Sequence, residues 1–169
     1  MNRVGIGFDI HRLVRGRPFL LAGVRLPGPF GPEGHSDADP LSHAIVDALL
    51  GAAALGDIGE HFPDSEPRWR GTAGLEFLAR ARALLARRGL KPAQMDATVF
   101  CERPRLGPYK REIAAAIARA LGLPASSVNV KAKTMEGLGV IGTGKAVAAQ
   151  AVAVLARHRP SGARRGSRR

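Results

Sequence analysis

Cysteine is almost missing from this sequence: Cys101 is the only one in 169 residues. An intramolecular disulfide is thereby excluded, and a structural zinc site of the usual cysteine-rich kind cannot be assembled. Aromatic residues are also scarce, at 5%. None stands in the arginine-rich C-terminal stretch, so that stretch has nothing to stack on nucleic-acid bases. No apolar run approaches the roughly 20 residues that span a bilayer. The opening MNRVGIGFDIH lacks the apolar core of a secretory signal, with Asp9 interrupting it early. A cytoplasmic protein is expected, with no membrane partner. The length suits one domain with a real core.

Basic residues are absent where the acids gather. Between Glu33 and Glu66 there is no Lys or Arg, although the chain carries 26 of them and a formal net charge of +12. That window holds eight of the fourteen acids and three of the five histidines. Such an island repels itself unless a cation sits within it, and a bound metal is the simplest one. The excess positive charge lies elsewhere. RHRPSGARRGSRR, at 157–169, holds six arginines and no acid, and without it the net charge is +6. Its Gly, Pro, Ser and Arg content reads as a disordered tail behind a domain at 1–156. Nonspecific phosphate contact is all that such a tail offers nucleic acid.

The pattern along the chain is strand interleaved with helix. RVGIGFD (3–9) and PFLLAGVRL (18–26) read as strands, and the Pro- and Gly-rich stretch from Pro27 to Gly34 as a loop. Asp39-Pro40 opens a helix, Asp as N-cap and Pro at the first helical position. Leu41, Ile45, Ala48, Leu49, Ala52 and Leu55 form its apolar stripe, and Gly56 ends it. GDIGEHFPDSEP reads as loop. Thr72 is expected to cap a second helix running to about Arg88, which Gly89 stops. MDATVFCERP reads as a strand ending at Pro104, Tyr109 to Leu121 as a third helix and SSVNVKAKT as a strand. KAVAAQAVAVLAR suits a helix by its alanines and a strand by its valines. The whole is an α/β domain.

Two motifs compete for the chemistry. GLGVIG (137–142) and GVIGTGKA (139–146) resemble phosphate-binding loops. The second, however, has Ala146 where Mg²⁺ ligation needs Ser or Thr, and little chain follows for a nucleotide fold. A flexible turn is the better reading. GFDIH is the stronger signal. Asp9 and His11, two apart on a strand, point to one face. His43 lies on the first helix, off the apolar stripe. Two imidazoles and a carboxylate make a three-ligand site whose fourth position stays open for substrate, the mark of a catalytic zinc. Asp47, one turn beyond His43, either orients that ligand or is an exposed carboxylate. His35 and Ser36, just before the helix, can donate to a phosphate near its positive end. His61 reads as a surface loop residue.

GFDIH, HSDADPLSHAIVDALLGAAALGDIG, FPDS and NVKAKTMEGLG together closely resemble the 2-C-methyl-D-erythritol 2,4-cyclodiphosphate synthase family, over about residues 3–156. The resemblance implies an α+β fold, with a mixed four-to-five-stranded sheet, three helices on one face and the final Ala-rich segment a strand. It implies a homotrimer with active sites between subunits. It also implies the reaction: 4-diphosphocytidyl-2-C-methyl-D-erythritol 2-phosphate closes to the 2,4-cyclodiphosphate and releases CMP, in the non-mevalonate route to isoprenoids. On matching positions, Asp9, His11 and His43 would bind Zn²⁺, with Asp9 and His11 also facing substrate. His35 and Ser36 would contact the transferred phosphate, with His35 and Thr134 in catalytic roles. Asp57, Ile58 and Gly59 would hold the methylerythritol hydroxyls, and Phe62, Pro63, Asp64, Ser65 and Glu66 would continue that wall. Cys101, Glu102, Arg103, Pro104, Arg105, Leu106 and Gly107 align with the loop that reads cytosine. Lys133, Thr134, Met135 and Glu136 match the segment for the α-phosphate and a second metal, Mg²⁺ or Mn²⁺ at Glu136. Val140 and Thr143, counted with the binding residues, replace an aromatic residue and an arginine that often line the family's central cavity. Lys133 and Met135 replace hydroxyl residues found in some members.

The reaction so implied needs no protein nucleophile, because the substrate's own 2-phosphate is ionised at neutral pH. Position and charge neutralisation are what remain to be supplied. A zinc phosphohydrolase with the same ligands is the competing enzyme, but water would require a base that the sequence does not name.

Overall fold

The computed structural model describes residues 2–158. Its centre is a five-stranded mixed sheet. The strands are β1 (Arg3–Arg15), β4 (Phe30–Pro32), β5 (Leu90–Phe100), β6 (Val128–Lys133) and β7 (Ala146–Arg157), in the order β4-β1-β7-β5-β6. β5 and β6 pair in parallel and every other neighbour is antiparallel. A separate hairpin joins β2 (Phe19–Leu21) to β3 (Val24–Leu26). The expected strand at 18–26 is therefore two strands, because Ala22 and Gly23 both take positive φ and reverse the chain.

Three long helices cover the sheet: α1 (Pro40–Ala53), α3 (Gly74–Arg87) and α4 (Lys110–Leu121). α1 lies over β1 and β7, α4 over β6, and α3 rests on α1 and α4. Two one-turn helices, α2 (Ile58–His61) and α5 (Gly139–Gly142), interrupt stretches that read as loop. The core is aliphatic and continuous, with Leu41, Ile45 and Leu49 of α1, Leu78 and Leu85 of α3 and Ile113 and Ile117 of α4 fully buried. Close approach of α1 to β1 requires glycine in the strand. A Cβ on Gly5 or Gly7 would fall on the carbonyl oxygens of Ala48 and Ala44.

Tertiary contacts moved several boundaries. α1 starts as expected, with Asp39 accepting from the Leu41 and Ser42 N–H groups. It ends at Ala53, before Gly56, because Ala54 itself takes the left-handed conformation and Leu55 N–H closes on Leu50 O. Thr72 does not cap α3. The Gly74 N–H is capped from afar by Asp37 Oδ2, at 2.8 Å. β1 runs on to Arg15, β5 ends at Phe100 before Pro104, and the Pro27–Gly34 loop contains β4. The ambiguous Ala-rich segment is the strand β7. It lies between β1 and β5 with α1 against it, and small residues at 149, 151 and 153, opposite Asp9, Gly7 and Gly5 on the helix-facing side, keep the layers close. Burial on both sides outweighs local helix propensity. The stretch at 137–146 holds α5 and a turn leading into β7, not a strand–loop–helix phosphate cradle. β7 includes Arg157, and the disordered-tail reading falls, from residue 159 on, outside the described residues.

Candidate active site

The site begins with the helix cap. Asp39 is fully buried and accepts four hydrogen bonds: from Leu41 N and Ser42 N at 3.0 and 3.1 Å, from Ser42 Oγ at 2.6 Å and from Ala22 N at 2.5 Å. Burial pushes its pKa up to about 6, against those donors. The cap fixes the first turn of α1, and His43 stands one turn in. β1 brings Asp9 and His11 to the same place from the sheet, because both share the helix-facing side with Gly7.

Three donor atoms converge there. Asp9 Oδ2 lies 2.9 Å from His11 Nε2 and 2.9 Å from His43 Nδ1, and the two nitrogens are 3.3 Å apart. Donors of one tetrahedral zinc, bound at about 2.0–2.1 Å, stand about 3.3 Å from each other. The remaining ring nitrogens are engaged elsewhere. His11 Nδ1 donates to Glu33 O at 2.7 Å, and His43 Nε2 is 3.1 Å from Ser36 Oγ. The carbonyl can only accept, so His11 carries a proton on Nδ1 and leaves Nε2 facing the cluster; a proton on His43 Nε2, donated to Ser36 Oγ, would leave His43 Nδ1 free in the same way. Burial works to raise the Asp9 pKa, but hydrogen bonds and charge from His11 and His43 outweigh it and hold the carboxyl well below its usual range. His11 is shifted up: burial opposes this, and Asp9 overcomes it. The residues fit a divalent metal, the one such group of three found among the described residues.

These three side chains open into a cavity of about 450 Å³. His35 and Ser36 stand beside them, and Ile58, Gly59, Phe62, Pro63 and Asp64 form the opposite wall. Trp69 and Phe77 also line it, and the sequence reading missed both. Phe62 packs on each, with centroids 5.2 and 5.0 Å apart, and Phe77 also reaches His43. A lone tryptophan in an otherwise aromatic-poor chain was the available signal. Asp57, Ser65 and Glu66 do not line this cavity. Asp57 caps α2 through the Glu60 N–H, and Glu66 pairs with Arg68. Asp47 does not touch His43: its carboxylate takes the Ile58 N–H at 2.8 Å and anchors the GDIG wall. His61 braces its own loop, donating to Leu55 O at 2.7 Å.

A second cavity, about 340 Å³, gathers Cys101, Glu102, Arg105, Leu106, Gly107, Lys133 and Thr134. It adds Lys110, which the sequence reading had not singled out, and leaves out Arg103, Pro104, Met135 and Glu136. Glu102 accepts the Met135 N–H at 3.1 Å, and Thr134 Oγ1 donates to Glu136 Oε1 at 2.7 Å. Burial pushes the Cys101 thiol up to about 11, and its Sγ donates to Arg103 O, which disfavours the thiolate that a nucleophile needs. The two cavities share no lining residue. Register gives their separation: Asp9 pairs with Ala149, Ala149 with Val99 and Val99 with Ala132. Three strand spacings amount to about 14 Å. Val140 and Thr143 are exposed and line neither cavity, and Thr143 Oγ1 caps its own short helix.

The sequence matches the model of the YgbB family over residues 2–156. The chain belongs to the YgbB family. A protein named 2-C-methyl-D-erythritol 2,4-cyclodiphosphate synthase, from Desulfatibacillum aliphaticivorans, is 52% identical over 153 residues, covering 90% of this chain and 99% of that one. A solved synthase of the same name, in its CDP-bound form, is 42% identical with a TM-score of 0.84, covering 91% of this chain and all of that one. A Plasmodium falciparum IspF in complex with CDP is 32% identical, with a TM-score of 0.82 over 94% of this chain and 97% of that one. The Asp9, His11 and His43 cluster is thus set in a fold shared with enzymes that carry a cytidine diphosphate.

Proposed function

We propose that the chain cyclises 4-diphosphocytidyl-2-C-methyl-D-erythritol 2-phosphate to the 2,4-cyclodiphosphate, with release of CMP. The observation that carries this reading is the convergence of Asp9, His11 and His43 beside His35 and Ser36 in a chain of this family. An oxygen of the substrate's 2-phosphate bonds to the β-phosphorus. The bond from that phosphorus to the oxygen bridging the α-phosphate breaks, and its electron pair leaves with CMP.

The residues serve position and charge. His35 and Ser36 bind the phosphate that is transferred. Ile58, Gly59 and Asp64 seat the methylerythritol, with Asp57, Ser65 and Glu66 shaping that wall from outside the cavity. Phe62, Trp69 and Phe77 exclude water. The Cys101–Gly107 segment takes the cytosine. Lys133, Arg105 and Lys110 neutralise the departing phosphate, and Thr134 donates to it. Zn²⁺ held by Asp9, His11 and His43 would act as a Lewis acid on the β-phosphate, and Mg²⁺ or Mn²⁺ held by Glu136 would neutralise the diphosphate. Folding the substrate into a ring is an orientation problem, worth about 7–11 kcal/mol of barrier when solved.

The working unit is a homotrimer with active sites between subunits, in the cytoplasm. The exposed apolar face of β1 supports this assembly, since Val4, Ile6, Phe8 and Ile10 are between 45% and 65% exposed.

Phosphorus NMR of the purified chain with substrate, Zn²⁺ and Mg²⁺ tests the reaction. CMP together with a cyclic diphosphate is expected. CMP with an open-chain diphosphate would assign the site to hydrolysis, and no turnover by folded, metal-loaded protein would overturn the function.

A further inference from the structure

Arg17 sits between β1 and β2, in a segment to which no role has been given. Its guanidinium is half-buried and makes no ion pair among the described residues. It donates instead to three main-chain carbonyls of one short loop. Nε reaches Pro32 O at 3.0 Å, and Nη2 reaches Gly34 O at 3.2 Å and Ser36 O at 3.4 Å.

That loop supplies the outer contacts of both histidines in the metal group. Glu33 O, between two of the bound carbonyls, accepts from His11 Nδ1 at 2.7 Å. Ser36 Oγ, on the third bound residue, meets His43 Nε2 at 3.1 Å. Gly34 presses on the His11 ring closely enough that an added Cβ would stand 3.2 Å from Cε1. Successive carbonyls thus alternate: those of residues 32, 34 and 36 face Arg17, and that of residue 33 faces His11. His35, between two carbonyls that Arg17 holds, stands in the same cavity.

We infer that Arg17 is a positioning residue for the metal centre. It clamps residues 32–36 so that Glu33 O and Ser36 Oγ hold His11 and His43 in the tautomers and ring orientations a divalent cation requires. Partners in this outer layer typically change metal affinity 10–100-fold when removed. The planar, forked guanidinium can serve three carbonyls at fixed angles, and a lysine ammonium on a flexible stem cannot. Charge alone would be retained by lysine, so the two effects separate.

This inference rests on the metal reading proposed above, and its test keeps the two apart. The full chain is stripped with chelator and titrated with Co²⁺, followed by its visible absorption, in wild type, Arg17→Lys, Arg17→Ala, Arg25→Ala and His43→Ala. Thermal unfolding of each metal-free protein is recorded in parallel. Expected are about tenfold weaker Co²⁺ binding for Arg17→Lys and up to about 100-fold for Arg17→Ala. Arg25 lines a surface cleft together with Arg17 but makes no hydrogen bond to residues 32–36 among the described residues, so Arg25→Ala should bind as wild type. Wild-type affinity in Arg17→Lys would overturn the clamp, as would lowered unfolding midpoints with unchanged Co²⁺ affinity. If Arg17→Ala does not fold, Arg17→Lys decides, and failure of both to fold assigns Arg17 to stability and overturns the inference. Co²⁺ binding that survives His43→Ala, or none in wild type, would instead sink the metal centre itself, and the clamp with it.

Discussion

His11 faces two demands that pull in opposite directions. Beside the ionised Asp9, and against the opposing effect of burial, its pKa is raised above the ordinary histidine value, which favours a proton on the ring in the metal-free chain. As a ligand through Nε2 it must be neutral. Metal binding therefore expels that proton, and protons compete with the cation. Each histidine ligand that must lose a proton should make apparent metal affinity fall by up to about tenfold per pH unit below its own titration, His11 among them. Asp9, held well below the usual carboxylate range, adds no slope there. Chelator-competition titrations across this range would measure it, and a flat profile would remove His11 from the ligand set. Cys101 presents the opposite case. With its thiol pushed up to about 11 by burial, it should resist iodoacetamide at pH 8 in the folded chain, and Cys101→Ala should keep most of the turnover. Rapid alkylation with loss of activity would contradict its burial.

At the scale of elements, the site depends on how closely β1 and α1 approach. Asp9, His11 and His43 meet because strand and helix are separated by little more than backbone at Gly5 and Gly7. A methyl at Gly7 would collide with Ala44 O and would also sit within 2.9 Å of Asp47 Cβ. Gly7→Ala is thus an overpacking change, costing about 1–3 kcal/mol. At roughly 2–4 °C per kcal/mol for a domain of this size, calorimetry should show a lower unfolding midpoint. Metal affinity should drop with it, because α1 can yield only by moving His43 away from β1. An unchanged midpoint would show that the two elements part freely. The same contact explains the composition of β7, whose alanines leave room for α1 on a sheet that larger side chains would hold off.

At the scale of the whole molecule, the sheet has one face under helices and another that is apolar and open along β1. Val4, Ile6, Phe8 and Ile10 point outward, with Val152 and Val154 beside Ile6 and Val4 in register. Polar residues occupy the far edge, where Asp96 pairs with Lys131 and Asn129. A contiguous apolar face of this kind marks an interface. Ile6→Asp should convert the proposed trimer to monomer in light scattering. Because the ligands of one protomer all lie on its own β1 and α1, Co²⁺ binding should survive while cyclisation is lost. A trimer that persists in Ile6→Asp would place the interface elsewhere.

Much of the site was legible in the chain because it depends on spacing. Alternation on a strand puts Asp9 and His11 on one side whatever the register, and the Asp39-Pro40 cap sets where α1 begins, and so where His43 falls. The absence of Lys and Arg over 33–66 marked that stretch as a candidate cation site before any fold was known. Other features depended on partners distant in sequence, and only the tertiary structure decided them. KAVAAQAVAVLAR is a strand because β1, β5 and α1 enclose it, an enclosure its own propensities do not encode. The cap of α3 comes from Asp37, not from adjacent Thr72. Asp47 serves Ile58, not His43, since the return of the GDIG loop sets which group it meets. Trp69 and Phe77 enter the cavity through aromatic packing that has no periodic signature. Arg17 left the least trace of all: it binds main-chain carbonyls, which every residue carries, so no pattern of side chains could have named its partners.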